Sequence, residues 1–500
     1  MFKTLKNAWG IIDLKKKMLF TLFIVVLYRL GAQVPVPFID AAQLSGFQEM
    51  MNGGIFQYLN IISGQALGNA TLFALGVSPY ITASIVVQLL TIAIPALEKW
   101  AKEGEEGKKK INVLTRIVTV ALALITSIGY VMMLRNNGGS SSLFNFGSQV
   151  THEAIYGFAY VIVVLCYCAG AAIVMWLAEK INESGIGNGI SIILFANIIA
   201  GFGTTAAAVW GIIFKNGGFK GFDWVGLLVA IGFVVLAIAM LVIIVWMSDA
   251  ERRIPIQYAK RVVGRKMYGG QNTNLPLKVN MTGVMPIIFA NSIVTIPATI
   301  AMLTKNASWT WVDKATLWCI RLFNPEYSFK SGTGENIADD IKKVNDWLVK
   351  FTEDWLGNTS FIYLAVFAVL LVAFAYFYVA ISFNPVEVAN NIKNNGGMIP
   401  GIRSGRPTID FIKKVLYRVT LIGALIVVLI ACSPMLVTDI LGIEAIKKAI
   451  ETARGVDYSA VFATLAFSGS SLMIVVGVAL ETVRELEAQM SLRNYKGFLD

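Results

Sequence analysis

Ten times along this chain an apolar run reaches the ~20 residues that a helix needs to cross the hydrocarbon of a bilayer. The runs lie at about 18–34, 72–97, 113–134, 155–178, 188–214, 224–247, 282–304, 360–383, 415–437 and 459–480. The series predicts an all-α polytopic membrane protein, because helices satisfy their own backbone where no water is present. Charge content agrees: 15% of residues are charged and the mean hydropathy is +0.66, against about 25% charged in an ordinary soluble domain. The basic start MFKTLKNAWGIIDLKKK leads straight into the first run with no small-residue cleavage site. It reads as a first anchor rather than a removed signal peptide.

One stretch breaks the rhythm. Between Gly53 and Leu97, the part from Leu72 onward is uncharged and long enough to span. The part before it, Ile55 to Ile62, is apolar but roughly half that length, and Gly53, Gly54 and Gly64 flank it. A segment too short to cross has end groups that lipid cannot satisfy, so it belongs inside protein or a cavity. We expect it to act as a stopper in a pore, with the neighbouring span as part of the wall.

Lysine and arginine set the orientation. With the N-terminus in the cytoplasm, 28 of the 42 Lys and Arg residues fall on the cytoplasmic side. The carboxylates divide 15 inside and 16 outside, so the asymmetry lies in the basic residues, as the positive-inside rule requires. Both termini are expected in the cytoplasm. Arg29, Arg116, Asp223 and Arg418 lie near the ends of runs, where snorkelling to the interface is expected. Nothing resembles the mid-membrane relay of an ion-coupled transporter. A five-and-five division of the runs is compatible with their number, although no internal match marks it.

Catalysis finds no footing in the sequence. Gly185, Gly187 and Gly189 sit in a turn between two apolar runs, not between a strand and a helix, so a nucleotide cradle is not expected. With a single histidine, His152, the pair Cys166 and Cys168 reads as apolar packing rather than a metal site. Neither a disulfide framework nor a cofactor is expected. The chain is read as no enzyme, its energy coming from a partner or the membrane potential.

The loops divide into bland and informative. Residues 98–112 are charged and glycine-broken and read as a solvated turn. The stretches from Asp249 to Asn280 and from Asn384 to Arg406 carry Arg and Lys among Gly and Pro turns. Charge alone allows two readings: topology-setting residues touching lipid headgroups, or a docking surface for an acidic or phosphate-bearing partner. On the outer side, 305–358 is a long insert. There Ile341, Val344, Trp347, Leu348, Phe351 and Trp355 predict an amphipathic interfacial helix, and Trp309, Trp311 and Trp318 suit an aromatic belt. In the second run Val77, Ile81 and Ile85 share a helical face, while Thr82 and Gln88 are polar among apolar neighbours. By themselves these residues are accounted for by ordinary helix packing.

Five ordered blocks carry a resemblance: ALGVSPYITASIVVQLL (74–90), MWLAEKINESGIGNGISIILFA (175–196), ERRIPIQYAKRVVGRKMYGGQNTNLPLKVN (251–280), FNPVEVANNIKNNGGMIPGIRSGRPT (383–408) and SSLMIVVGVALETVRELEAQ (470–489). Through them the chain resembles the SecY family, the central channel subunits of the bacterial Sec translocase, along nearly its whole length. The resemblance implies ten transmembrane helices in two five-helix halves, residues 1–214 and 215–480, with a cytoplasmic tail at 481–500. It implies a plasma-membrane channel that passes unfolded polypeptide across the bilayer and releases segments sideways into it.

Residue by residue, the resemblance implies a pore ring of Val77, Ile81, Ile190, Leu194, Ile288 and Ile474. Residues 53–64 would be the plug, with Gly54, Ile55, Phe56, Tyr58, Leu59, Ile61 and Ile62 its main side chains. A lateral gate would lie between Thr82, Ile85 and Gln88 on one side and Asn280 and Ile296 on the other. Cytoplasmic loops 248–281 and 384–414 would dock the ribosome and the SecA ATPase through Lys260, Arg261, Arg265, Lys266, Arg403 and Arg406. SecE and SecG-like small membrane subunits, signal peptides, nascent polypeptides and membrane lipids are the further partners implied. Phe38 and Ser468 stand where the pattern usually has Gly, and Ser404 where it has Pro. The contrasting readings are a secondary transporter, which needs polar groups at mid-depth in broken helices, and an insertase without a pore.

Overall fold

A computed structural model describes residues 2–39, 44, 60–137, 153–213, 224–258, 261–263, 266–268, 272–281, 283–304, 361–440 and 459–496. The helices are α1 (Phe2–Gly10), α2 (Ile12–Gly31), α3 (Ser78–Ala93), α4 (Pro95–Lys102), α5 (Glu105–Asn137), α6 (Glu153–Ser184), α7 (Gly189–Ile213) and α8 (Trp224–Asp249), followed by α9 (Met285–Thr304), α10 (Phe361–Ser382), α11 (Pro385–Asn394), α12 (Arg406–Ile440) and α13 (Ser459–Lys496). Among the described residues five stretches are long and apolar enough to cross a membrane: Glu105–Met132, Gly157–Ser184, Ala230–Asp249, Leu364–Asn394 and Arg406–Ser433. The bent pair α3 and α4 makes a sixth if counted as one span. The outer insert 305–358, with its expected amphipathic helix and Trp309, Trp311 and Trp318, lies outside the described residues.

Two local expectations are corrected. The second apolar run does not become one helix from Leu72: residues 72–77 are turns, α3 starts at Ser78, and the axis bends by 101° between α3 and α4. Pro79 and Pro95 open α3 and α4, and Ile94, held extended by the proline after it, separates them. The charged stretch 98–112 is not a solvated turn. It forms the end of α4 and the start of α5, broken only around Gly104, whose φ is +78°. Exposed pairs Lys102–Glu98 and Lys110–Glu103 decorate it at 2.6 and 3.0 Å.

The all-α expectation also needs amending, because the informative loops form a sheet. Strands β1 (Glu251–Tyr258), β4 (Asn272–Lys278) and β5 (Gly397–Met398) pair antiparallel in the order β4-β1-β5. Ile254 faces Leu275, and Tyr258 faces Gly397. A second ribbon, β2 (Arg261–Val263) and β3 (Lys266–Tyr268), sets Val263 opposite Lys266. Ile254, Ile256 and Leu277 bury one face of the sheet on Ala389 and Ile392 of α11 and Ile412 of α12. The period-two pattern Ile254, Ile256, Tyr258 was the sequence signal for it.

The helices gather around one large apolar core to which α2, α3, α6, α7, α8, α9, α10, α12 and α13 all contribute. Contacts fall into two sets. Helix α3 packs on α5 and α6, α2 on α6 and α7, and α5 on α6; α10 packs on α9 and α12, and α13 on α8 and α12. The sets meet where α9 lies against α3 and α5, α7 against α8 and α13, and α1 against α13.

Candidate functional site

The side chains expected to form a constriction all lie in or against that core. Val77, Ile81, Leu194, Ile288 and Ile474 are at most 5% exposed and belong to one cluster. Ile190 and Ile62 are partly buried against it. They come from α3 and the N-cap just before it, α7, α9 and α13. Such a meeting of β-branched and leucine side chains offers an ion no ligand.

The short apolar segment is described from Asn60, so Gly54, Ile55, Phe56, Tyr58 and Leu59 lie outside the described residues. Residues 60–62 are helical, and the connector 63–77 runs as turns with Ser63, Ala66, Leu67, Ala70, Thr71, Phe73, Ala74 and Val77 buried. A buried turn must find partners for its backbone, and this one finds them on three helices and the chain after α2. Tyr130 of α5 donates to the Leu67 carbonyl, and Tyr167 of α6 donates to that of Ala70 at 3.1 Å. The Leu72 N–H donates to Val34 O at 2.9 Å, and Gly68 N–H to Asn60 Oδ1 at 2.9 Å. Gln65 and Ala70 hold left-handed backbone, φ +69° and +48°, a strain that the surrounding bonds maintain.

At the base of the short segment, α2 and α7 meet it directly. Arg29 Nη2 donates to the carbonyls of Ala196 (2.6 Å) and Asn197 (3.1 Å), and its Nη1 to that of Gly64 (3.5 Å). Asn197 Nδ2 donates to Ile62 O (2.7 Å) and to the Tyr28 hydroxyl (2.9 Å). Arg29 therefore does not snorkel as expected; neighbours far away in sequence capture it. Asn197, Tyr28, Tyr130 and Tyr167 were missed. A lone amide in the apolar run of α7 was the available signal for Asn197.

Of the residues expected at the sideways opening, Thr82, Ile85 and Gln88 are on α3, which packs against α9. Ile85 is buried, and Thr82 and Gln88 are half-buried. Each polar group is bonded within its own helix: Thr82 Oγ1 donates to Ser78 O (3.1 Å) and Gln88 Nε2 to Ser84 Oγ (3.3 Å). Asn280 precedes α9, and Ile296 lies along it. Gly185 to Gly189 close on themselves, with Asn182 Oδ1 accepting from Gly189 N–H at 2.7 Å, which leaves the turn as a tight link between α6 and α7. Cys168 packs with Ala123 and Ala171.

Of the basic residues, Arg403 and Arg406 are exposed, in the turn before α12 and at its start. Thr408 Oγ1 donates to Arg403 O at 2.8 Å and braces that turn. Arg261 and Lys266 are on β2 and β3; Lys260 and Arg265 lie outside the described residues. Arg261 comes three residues after Tyr258 and Arg403 five residues after Met398; because β5 runs antiparallel to β1, the two loops leave the paired residues in opposite directions. At the far end of β1, where Lys278 pairs with Glu251, burial and the Arg484 guanidinium push the Lys278 ammonium below its usual range.

A family model described as SecY matches residues 71–483. The chain belongs to the SecY family. A protein translocase subunit SecY of Streptomyces coelicolor is 40% identical over 505 residues, covering 100% of both chains. One from Mycobacterium bovis is 37% identical over 98% of this chain and 97% of its own. Among solved structures, a protein-conducting channel aligns with TM-score 0.56 at 16% identity over 95% of this chain and 92% of that one. Sec61 in a canine ribosome–channel complex aligns with TM-score 0.52 at 15% identity over the same shares. These last two support the fold.

One residue in the chain after α2 is conformationally odd. Phe38 has φ +72°, a backbone conformation that glycine adopts freely and phenylalanine does not.

Proposed function

We propose that this chain forms the pore of a protein translocase in a bacterial plasma membrane, passing unfolded polypeptide along the axis between its two sets of helices. The carrying observation is that four helices converge their aliphatic side chains on one cluster, Val77, Ile81, Ile190, Leu194, Ile288 and Ile474, with Ile62 against it. In this reading the cluster is a constriction that dewets when narrow and closes around a passing chain without binding it. The 53–64 segment blocks the outer funnel. Ten spans with both termini cytoplasmic are supported by the run lengths and the Lys and Arg bias, and the division into halves 1–214 and 215–480 by the family resemblance.

The α3–α9 seam opens to lipid, where an apolar client segment replaces the contacts around Ile85, Thr82 and Gln88. Release into the bilayer then needs no chemistry. The basic loops dock a ribosome or an ATPase motor of the SecA kind, and small SecE and SecG-like subunits complete the complex.

The test is a stalled secretory precursor with photo-crosslinkers placed at Ile81 and Ile288. Crosslinks from both positions to the translocating chain are expected. Labelling only at the lipid-facing Val242 and Trp246 of α8 would overturn the pore reading in favour of a poreless insertase.

A further inference from the structure

We propose that Tyr28, Arg29 and Asn197 form a clasp that seats the base of the 53–64 segment, and that its strength sets how readily the resting channel leaks or opens. The inference rests on the stopper reading. It names the residues that hold the stopper in place.

Three independent features converge there. The Asn197 side chain is fully buried, and the Ile62 carbonyl, which can only accept, fixes the direction of its amide. Its Oδ1 has no hydrogen-bond partner among the described residues, so the amide is kept for its two donors, at the expense of an orphaned acceptor. Arg29 stands in the last turn of α2, where a cation suits the helix dipole. Its planar fork reaches the carbonyls of Ala196, Asn197 and Gly64 at once, which a lysine ammonium could not match in direction.

Gly64 completes the seat. Its φ of +66° favours glycine, and a Cβ there would fall 2.6 Å from Arg29 Nη1 and 2.9 Å from Asn197 Oδ1. Tyr28, fully buried, takes the second Asn197 hydrogen and stacks on Phe73 at 5.5 Å, which ties the clasp to the connector. Asn197 follows Leu194 by three residues on α7, so clasp and constriction share one helix face. Moving the base of the segment breaks the two bonds that reach it, Arg29 to Gly64 O and Asn197 to Ile62 O. The α2–α7 bonds of Arg29 and Tyr28 hold the two donors in place for its return. The three side chains are positioning residues: they act through the stopper and touch no client.

The experiment measures resting chloride conductance of the full chain with its co-purifying subunits in planar bilayers. Variants are Asn197→Leu, Tyr28→Phe, deletion of 54–63, and the deletion combined with Asn197→Leu. Each lost hydrogen bond is expected to raise the resting leak about fivefold, so Asn197→Leu leaks more than Tyr28→Phe. The combined variant should leak no more than the deletion alone, a result that a general loosening of the bundle would not give. Tyr28→Phe removes one oxygen, and its thermal unfolding should stay within a few degrees of the parent, which separates leak from misfolding. A silent Asn197→Leu beside a leaking deletion would overturn the clasp, as would an additive leak in the combined variant. A deletion that does not leak would instead overturn the stopper reading itself.

Discussion

At the residue scale, two side chains carry conflicts that tertiary structure resolves differently. Arg29 looks like a snorkelling cation because its sequence neighbours are apolar and a run end is close. Its acceptors come from residues 64, 196 and 197, which no local pattern places beside it. Phe38 is a conflict left standing. A left-handed non-glycine residue carries about 1–2 kcal/mol of strain, which loss of the ring would relieve at the expense of the contacts around a side chain that is 37% exposed. Phe38→Gly should raise the thermal midpoint in lipid nanodiscs, by roughly 1 kcal/mol of stability. A lower midpoint would show that the ring's contacts outweigh the backbone. Combining Ile81→Gly, Ile190→Gly and Ile288→Gly should raise ion leakage in reconstituted vesicles, because each removes bulk from the constriction cluster.

Elements were legible in proportion to how local their causes are. The long apolar runs foretold where α5, α6, α8, α10 and α12 lie, since length and hydropathy decide those alone. The bend after α3 was half written: Pro95 was visible, but its result depended on α4 packing back against α5. The sheet was hidden because its strands come from loops more than a hundred residues apart, and β5 is two residues long. Glycine also acts at this scale. Gly170 of α6 lets the Leu72 carbonyl approach so closely that a Cβ would sit 2.1 Å from it. Gly170→Ala should push the connector off α6 and lower stability by roughly 1–3 kcal/mol, an overpacking cost, read by thermal unfolding. An unchanged midpoint would mean that α6 gives way without loss.

For the whole molecule, the side chains proposed for the constriction were legible only through the resemblance; periodicity gave stripes without saying which stripes share a core. The fold puts those stripes in or against one buried cluster. Surface charge belongs here too. Arg403 is exposed in the turn before α12, so Arg403→Glu should leave the fold intact. It should slow motor-driven precursor transport about fivefold, the scale of one rim charge. Normal transport would remove it from the docking surface.

The hydrogen-bonded link from β1 to β5 has a mechanical corollary. β1 leaves α8, β4 leads to α9, and β5 lies between α10 and α12. A shove delivered to either loop is therefore shared by four helices, all from one set. Load placed on the sheet reaches the α9 edge of the α3–α9 contact through covalent backbone, and the α3 edge only through packing.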